Sequence, residues 1–246
     1  MNIVSIIPAR MGSSRFPGKP LALINNIPMI EYVYNNVKKS TNINKVWVAT
    51  PDKEIFDHMI RINGNVIMTS NSHTRASDRC CEALKIIEKQ TNQNIDIMVM
   101  VQGDEPMINS KMIDQAIKPM FLDKNVYVTN LIGRIKNHED LLNKNTIKVV
   151  CDKNSFALYF SRSPIPDNIS KFPFYGKQVC VIPFEKNFLL EYSSMKETPL
   201  EISESIDMLR ILENGKKVYM AKTNYDNQSV DTLDDLNLVN SIIKND

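Results

Sequence analysis

The chain has 246 residues, 43% of them hydrophobic, and a formal net charge of +2. That length supports one large core, or one domain with a sizeable insertion, and the near-neutral balance excludes the global basic field of a nucleic-acid binder. No apolar run reaches the roughly eighteen residues of a membrane-spanning helix.

Ile3 to Ile7 is a β-branched apolar run and predicts a buried strand. It breaks at Pro8 into a loop that carries Gly12, Ser13, Ser14, Gly18 and three cations, Arg10, Arg15 and Lys19. So many like charges on one loop repel one another unless solvent or an anion compensates. A loop at the carboxyl end of the first parallel strand is also where open α/β sheets bind ligands. The stretch therefore points to a polyphosphate cradle, with a solvated basic turn as the alternative. It is not a Walker A loop, because Pro20 follows Lys19 where Ser or Thr is required. The chain enters this strand with no basic stretch and apolar leader before it, and its four cysteines lack C-x-x-C spacing. A cytoplasmic protein with reduced thiols is expected. His58, His73 and His138 show no metal-ligand spacing, so no structural zinc is expected.

A helix follows over about 29–39, then a strand over 45–50 that Pro51 and Asp52 stop. The next helix places Ile55, Met59 and Ile60 on one face, and residues 65–69 form a third strand. A helix over about 76–90 leads to a wholly apolar strand over 96–102, of the kind buried on both faces. A helix over 109–121 and a strand over 126–132 complete an alternation that implies a mostly parallel sheet with helices on both sides. In the second half, strands over 146–151 and 157–162 are joined by the Asp152-Lys153-Asn154 turn, and a loop with Pro164, Pro166 and Pro173 follows. Strand 178–183, helices 185–193 and 200–213, strand 217–222 and a helix over 231–243 close the chain. One sheet with an inserted hairpin near 146–176 is the expected architecture.

Three further stretches carry chemistry. Gln102-Gly103-Asp104-Glu105-Pro106 puts an acidic pair directly after the buried strand, at the same sheet edge as the basic loop. Carboxylates there need a cation, and beside a polyphosphate Mg²⁺ is the natural one, since it accepts one or two protein carboxylates plus phosphate oxygens. His73-Thr74-Arg75-Ala76-Ser77-Asp78-Arg79 opens a helix with two arginines that oppose the dipole unless an anion sits there, while Ser77 or Asp78 offers a plain cap. Ser229-Val230-Asp231-Thr232 places another carboxylate at a helix start, where an N-cap is the simpler reading.

Taken together, the Pro8-Ala9-Arg10, Gly12 to Arg15 and Pro17 to Pro20 runs, Trp47 to Thr50, Met68-Thr69, Asp78-Arg79, Gln102 to Pro106, Ala157 to Pro166 and Val230 to Thr232 resemble the 3-deoxy-manno-octulosonate (Kdo) cytidylyltransferase family over nearly the whole chain. The resemblance implies a nucleotide-diphospho-sugar transferase-like, Rossmann-like α/β fold with a mostly parallel sheet and an inserted dimerisation hairpin. The chain is then a single domain: a nucleotide-binding part over about 1–133, a sugar-binding and dimerisation part over about 134–225, and a C-terminal helix over 231–244. It implies CTP and an acidic sugar as substrates, a Mg²⁺ requirement, a homodimer, and service in lipopolysaccharide or capsule synthesis. Arg10, Arg15 and Lys19 would hold the triphosphate and the Pro8–Ala9 backbone would seat the cytosine, with Gly12, Ser13, Thr69, Arg75 and Gln102 completing the nucleotide site. Asp104 and Asp231 would bind the metal, and Arg79 and Gln102 would lie near the sugar. Arg10, Lys19 and Asp104 would be the catalytic groups.

The sugar half departs from the family pattern. Gln178, Ile182 and Met208 stand where the family has His, Tyr and Gln, and Arg75 stands where it has Ser. Gln178, Glu204 and Asp207 are the polar groups left to contact an acceptor. Lost polar contacts change which substrate a site accepts, so an acceptor differing from Kdo at its outer carbons is expected, and Kdo itself should be a poor substrate. The rivals are CMP transfer to a modified ulosonic acid or a smaller acidic acceptor and, in another class, a catalytically silent nucleotide-binding protein. Retention of Asp104, Asp231, Arg10 and Lys19 speaks against the silent protein.

Overall fold

The computed structural model describes residues 1–13, 15–167 and 174–244. Ser14 of the basic loop and Pro173 of the Pro-rich loop lie outside them. The chain forms two compact units, Met1–Asp114 with Asp226–Asp246, and Gln115–Tyr225.

In the first unit β1 (Ile3–Pro8) is followed by β2 (Leu23–Ile24), β3 (Ile27–Pro28), α1 (Met29–Val37), β4 (Lys45–Thr50), α2 (Lys53–Arg61), β5 (Val66–Met68), α3 (Ala76–Thr91), β6 (Ile97–Val101) and α4 (Ser110–Leu122), within which the two units divide. β1 pairs in parallel with both β4 and β6, and β4 in parallel with β5. The order is β6-β1-β4-β5, with β1 paired on both sides. Ile6, Ile7, Met98, Val99 and Val101 are completely buried, as strands covered on both faces require.

One local expectation fails here, and one element was not anticipated. Ile60 is 54% exposed, and α2 buries Ile55, His58 and Met59 instead. The β2–β3 hairpin was not expected, because its strands are too short to show a period. Its signal is the Asn25-Asn26 pair, both left-handed at φ 48° and 67°, a conformation asparagine tolerates.

The second unit contains β7 (Thr129–Arg134), α5 (His138–Leu142), β8 (Lys148–Cys151), β9 (Ala157–Ser161), β10 (Gly176–Val179), β11 (Val181–Glu185), α6 (Lys186–Ser194), α7 (Pro199–Glu204), α8 (Met208–Glu213) and β12 (Tyr219–Lys222). Five of its strands make a separate mixed sheet, β12-β7-β10-β8-β9, parallel only between β12 and β7. The hairpin expected from 146–162 is thus the β8–β9 edge of a second sheet, not an insertion on a single one. The strand expected over 178–183 is two strands that part at Cys180. The helix expected over 200–213 breaks at Ser205, which is left-handed at φ 55°. At the start of α7 the Glu201 carboxylate reaches back and its Oε2 accepts from the Thr198 N–H at 3.3 Å. Across the break, buried Arg210 makes a bidentate pair with buried Glu201, Nε to Oε2 at 2.8 Å and Nη2 to Oε1 at 2.7 Å, and lies 4.6 Å from the Tyr192 ring centroid. Such a pair is kept intact because stranding either charge in the core is costly.

The last helix, α9 (Leu233–Ile243), belongs to the first unit, where the Asn240 Oδ1 accepts from the Asn25 backbone N–H at 2.9 Å.

Candidate active site

A cleft of about 250 Å³ opens in the first unit, where the loops after β1, β5 and β6 converge. Parallel strands end in register, so their connecting loops gather at one edge. The loop after β1 contributes Pro8, Ala9, Arg10, Ser13, Arg15 and Lys19, the loop after β5 contributes His73, Thr74 and Arg75, and the loop after β6 contributes Gln102, Gly103 and Asp104. Ala76 and Arg79 reach it from α3. Arg10, Arg15, Lys19, Arg75 and Arg79 thus face one acidic residue in the lining, Asp104. A concave, strongly basic surface of this kind holds a polyanion.

The basic loop is held by its own backbone. Met11 donates to Asp52 Oδ2 at 2.8 Å, and its carbonyl accepts from Ser13 at 2.9 Å and Gly18 at 3.0 Å. Gly18 takes a left-handed φ of 74° that an L side chain would strain, and this turn launches Lys19 inward on a single 3₁₀ turn, Lys19–Leu21. Gly12 plays no such part: it is absent from the cleft lining, and a Cβ there would meet nothing within 4 Å. Gly103 is the glycine that close approach requires, since its Cβ would sit 3.3 Å from both the Pro8 carbonyl oxygen and Ile30 Cδ1.

Lys19 is the hub. Its Nζ lies 2.6 Å from Asp104 Oδ2 and 3.5 Å from Asp231 Oδ1, and donates to the Val230 carbonyl at 2.8 Å. Arg15 Nη2 reaches the same Asp231 oxygen at 2.9 Å. Burial works to lower the Lys19 pKa, but Asp104 and then Asp231 outweigh it and raise it above its ordinary value. The Asp231 carboxyl is pushed up, first by burial and then by the Asp104 charge, against the pull of Lys19 and Arg15. Two carboxylates are therefore held close, with one ammonium compensating both.

Asp231 is not the cap of α9. Thr232 is, accepting from the Asp235 N–H at 3.2 Å, while Asp235 Oδ2 accepts from the Thr232 N–H at 2.8 Å. This box satisfies the helix start and leaves the Asp231 carboxylate to Lys19 and Arg15. Neither Ser77 nor Asp78 caps α3: Arg75 occupies the N-cap position, and Ser77 is fully buried.

Arg79 lines the cleft but is only 3% exposed. Its Nη1 donates to Thr69 Oγ1 at 2.6 Å and to the Ser70 carbonyl at 3.0 Å, and its Nη2 donates to the His73 carbonyl at 3.3 Å. Burial and then the Arg10 charge lower its pKa. Arg79 thus shapes the loop that presents Thr74 and Arg75. Thr69 is used in that contact and does not line the cleft. Glu82 secures the same loop, its Oε2 lying 2.6 Å from His73 Nε2 and accepting from the Ser70 N–H at 2.9 Å. Sequence reasoning missed Glu82, Met29, Pro20 and the lining roles of His73 and Thr74. The signal available for Glu82 was its place one helical turn beyond Arg79, on the face that meets the loop.

Gln178, Glu204 and Asp207 lie in the second unit. Gln178 Nε2 donates to Asn130 Oδ1 at 2.5 Å. The Glu204 carboxylate accepts from the Arg162 N–H at 2.8 Å and from the hydroxyls of Ser161 at 3.1 Å and Tyr159 at 3.4 Å. Asp207 stands at the N-cap of α8, its carbonyl accepting from the Tyr192 hydroxyl at 3.5 Å. Ile182 and Met208 are core residues, 2% and 0% exposed.

Residues 4–218 match the cytidylyltransferase family. The chain is 41% identical to the 3-deoxy-manno-octulosonate cytidylyltransferase of Trichlorobacter lovleyi, over 96% of each chain, and 41% identical to that of Fusobacterium nucleatum, over 99% of this chain and 98% of the other. Among solved structures, a CMP:2-keto-3-deoxy-manno-octonic acid synthetase complexed with CTP superposes with a TM-score of 0.88 at 33% identity, covering 100% of this chain and 99% of that one.

Proposed function

The chain belongs to the cytidylyltransferase family, among the 3-deoxy-manno-octulosonate cytidylyltransferases, and from that premise we propose that its basic cleft binds CTP and that it transfers CMP to Kdo. The observation that carries this reading is the convergence of five cations on one cleft, two of whose lining residues, Lys19 and Asp104, form a cluster with Asp231. A silent relative would not keep two repelling carboxylates beside a triphosphate cradle.

The reaction joins the acceptor's anomeric hydroxyl oxygen to the α-phosphorus of CTP, breaks the bond to the bridging oxygen, and releases pyrophosphate; the hydroxyl proton passes to solvent. Such a transfer needs alignment and charge neutralisation rather than a covalent nucleophile. Arg10, Arg15 and Lys19 neutralise the phosphates and hold them in line. Ser13, Arg75 and Gln102 complete the nucleotide contacts, and the Pro8–Ala9 backbone seats the base. Gln178, Glu204 and Asp207 are the residues proposed to bind the acceptor.

Among the described residues no cluster of three or more His, Cys, Asp or Glu is poised to hold a metal. Mg²⁺ does not require one, since it takes one or two carboxylates and fills the rest of its shell with water and phosphate oxygens. Asp104 and Asp231 fit that need: the Asp104 charge helps push the Asp231 carboxyl up, so a second cation there is favoured. Held by these two residues, Mg²⁺ would neutralise the phosphate oxygens as charge moves to pyrophosphate. No described helix is long and apolar enough to cross a membrane. A cytoplasmic homodimer is the form proposed, on the family resemblance.

The expectation of a poor Kdo substrate does not survive. Ile182 and Met208 pack into the core of the second unit, so their apolar character has a structural cause, and the 41%-identical relatives carry the Kdo name. Steady-state kinetics with CTP and Kdo should give kcat/KM above about 10⁴ M⁻¹s⁻¹, the ordinary range for efficient enzymes. A value far below that, with a modified ulosonic acid turned over faster, would restore the altered acceptor.

A further inference from the structure

The two acids of the Asp104-Glu105 pair part company in the structure. Asp104 faces the cleft, whereas Glu105 is 3% exposed. Glu105 Oε2 accepts from the Asn227 Nδ2 at 2.7 Å, a contact spanning 122 residues of sequence, and Asn227 is itself only 9% exposed. Three residues further on, the Val230 N–H donates to the Asp104 carbonyl at 2.9 Å, and the Val230 carbonyl accepts from Lys19 at 2.8 Å. The next residue is Asp231. The segment 227–231 is therefore stitched to the end of β6 at both ends, and its last residue delivers the second carboxylate.

We propose that Glu105 is a positioning residue: by holding Asn227 it fixes the segment that carries Asp231, and so sets the Asp104–Asp231 pair ready for a divalent cation. The physical basis is that a buried carboxylate hydrogen-bonded to a buried amide has no solvent to substitute for a lost partner, which makes the contact costly to break and geometrically strict. The Val230 backbone bonds and the Asp231 N–H donating to Asp235 Oδ2 at 3.0 Å hold the far end of the segment, and the Glu105–Asn227 contact holds its start. The proposal rests on the reading of Asp104 and Asp231 as the cation site.

The test is Mn²⁺ binding followed by electron paramagnetic resonance, with CTP present and no acceptor, so that turnover plays no part. CTP affinity in EDTA, measured separately, reports the metal-independent part of the site. Glu105→Ala should weaken Mn²⁺ binding at least about tenfold and change CTP affinity in EDTA by less than about twofold, the range in which outer partners of ligands act on metal affinity. Glu105→Gln, which keeps an oxygen to accept from Asn227, should recover most of the loss. Should Glu105→Ala fail to fold, Asn227→Ala removes the same contact from the other side and should give the same split. Unchanged Mn²⁺ affinity in the folded variant, or equal loss of Mn²⁺ and CTP binding, overturns the proposal. Asp104→Asn separates the premises: if it leaves Mn²⁺ binding intact, the cation site itself is misassigned; if it abolishes binding while Glu105→Ala does not alter it, only the positioning role fails.

Discussion

Asp104→Asn should lower turnover about 10²- to 10³-fold while leaving the protein folded. The substitution keeps the shape and removes the one negative charge among the cleft's lining residues. Removing a single preorganised electrostatic contact to developing charge costs rates of this order. Two terms act in the same direction here. The cation loses one of its two proposed carboxylates, and Lys19 loses its 2.6 Å partner and shifts toward Asp231, now 3.5 Å away. The fold should tolerate the change, because Lys19 keeps the Val230 carbonyl at 2.8 Å and is not stranded. Initial rates across a Mg²⁺ titration, with circular dichroism as the control, decide the matter. Turnover near wild type at limiting Mg²⁺ would remove Asp104 from the chemistry.

The second large effect is expected at Lys19. Lys19→Ala should weaken CTP binding or turnover by about 1.5–3 kcal/mol, the worth of a hydrogen bond to a charged group. Arg10→Ala should cost a similar amount by a simpler route, since Arg10 is exposed and has no ion pair among the described residues. Lys19 is different, being 9% exposed and compensating both carboxylates. Its loss leaves Asp104 and Asp231 facing each other without their ammonium, which pushes the Asp231 carboxyl further up. Lys19→Ala should therefore also make metal dependence steeper at mildly acid pH, a change Arg10→Ala should not produce. Isothermal titration with CTP tests both variants, and unchanged titrations for the pair would reduce the loop to a solvated turn.

The sequence was most legible where local pattern and tertiary role agree. The strands over 3–8, 45–50 and 97–101 are rich in buried apolar residues, wholly so in 97–101, because both faces of the sheet are covered. The basic loop, the Gln102 to Asp104 turn and Asp231 stand out in the sequence because charges gathered after buried strands have no local structural reason, and the structure brings Lys19, Asp104 and Asp231 into one ion-paired cluster. What was misread lies where a single backbone conformation or a distant partner decides. Ser205 ends α7 by turning left-handed, which no apolar period announces. Close backbone packing requires a glycine at Gly103, pressed against the Pro8 carbonyl, and not at Gly12, where a Cβ would meet nothing within 4 Å.

By itself, then, the sequence determined that this is an alternating α/β chain with a cation-rich loop after its first strand and carboxylates after later ones, because hydrophobic period, turn chemistry and charge clustering are local properties. Only the tertiary structure decided which acid does what. Asp104 and Glu105 are adjacent and chemically alike, but one turns to the cleft and the other is buried on Asn227. Asp231 and Asp235 both open α9, but the capping box takes Asp235 and leaves Asp231 to Lys19 and Arg15. It also decided that the later strands build their own mixed sheet. The physical reason is common to all three. Burial, ion pairing and strand pairing are settled between residues far apart in the chain, by which partner is left to satisfy a charge or a backbone group once the core has closed.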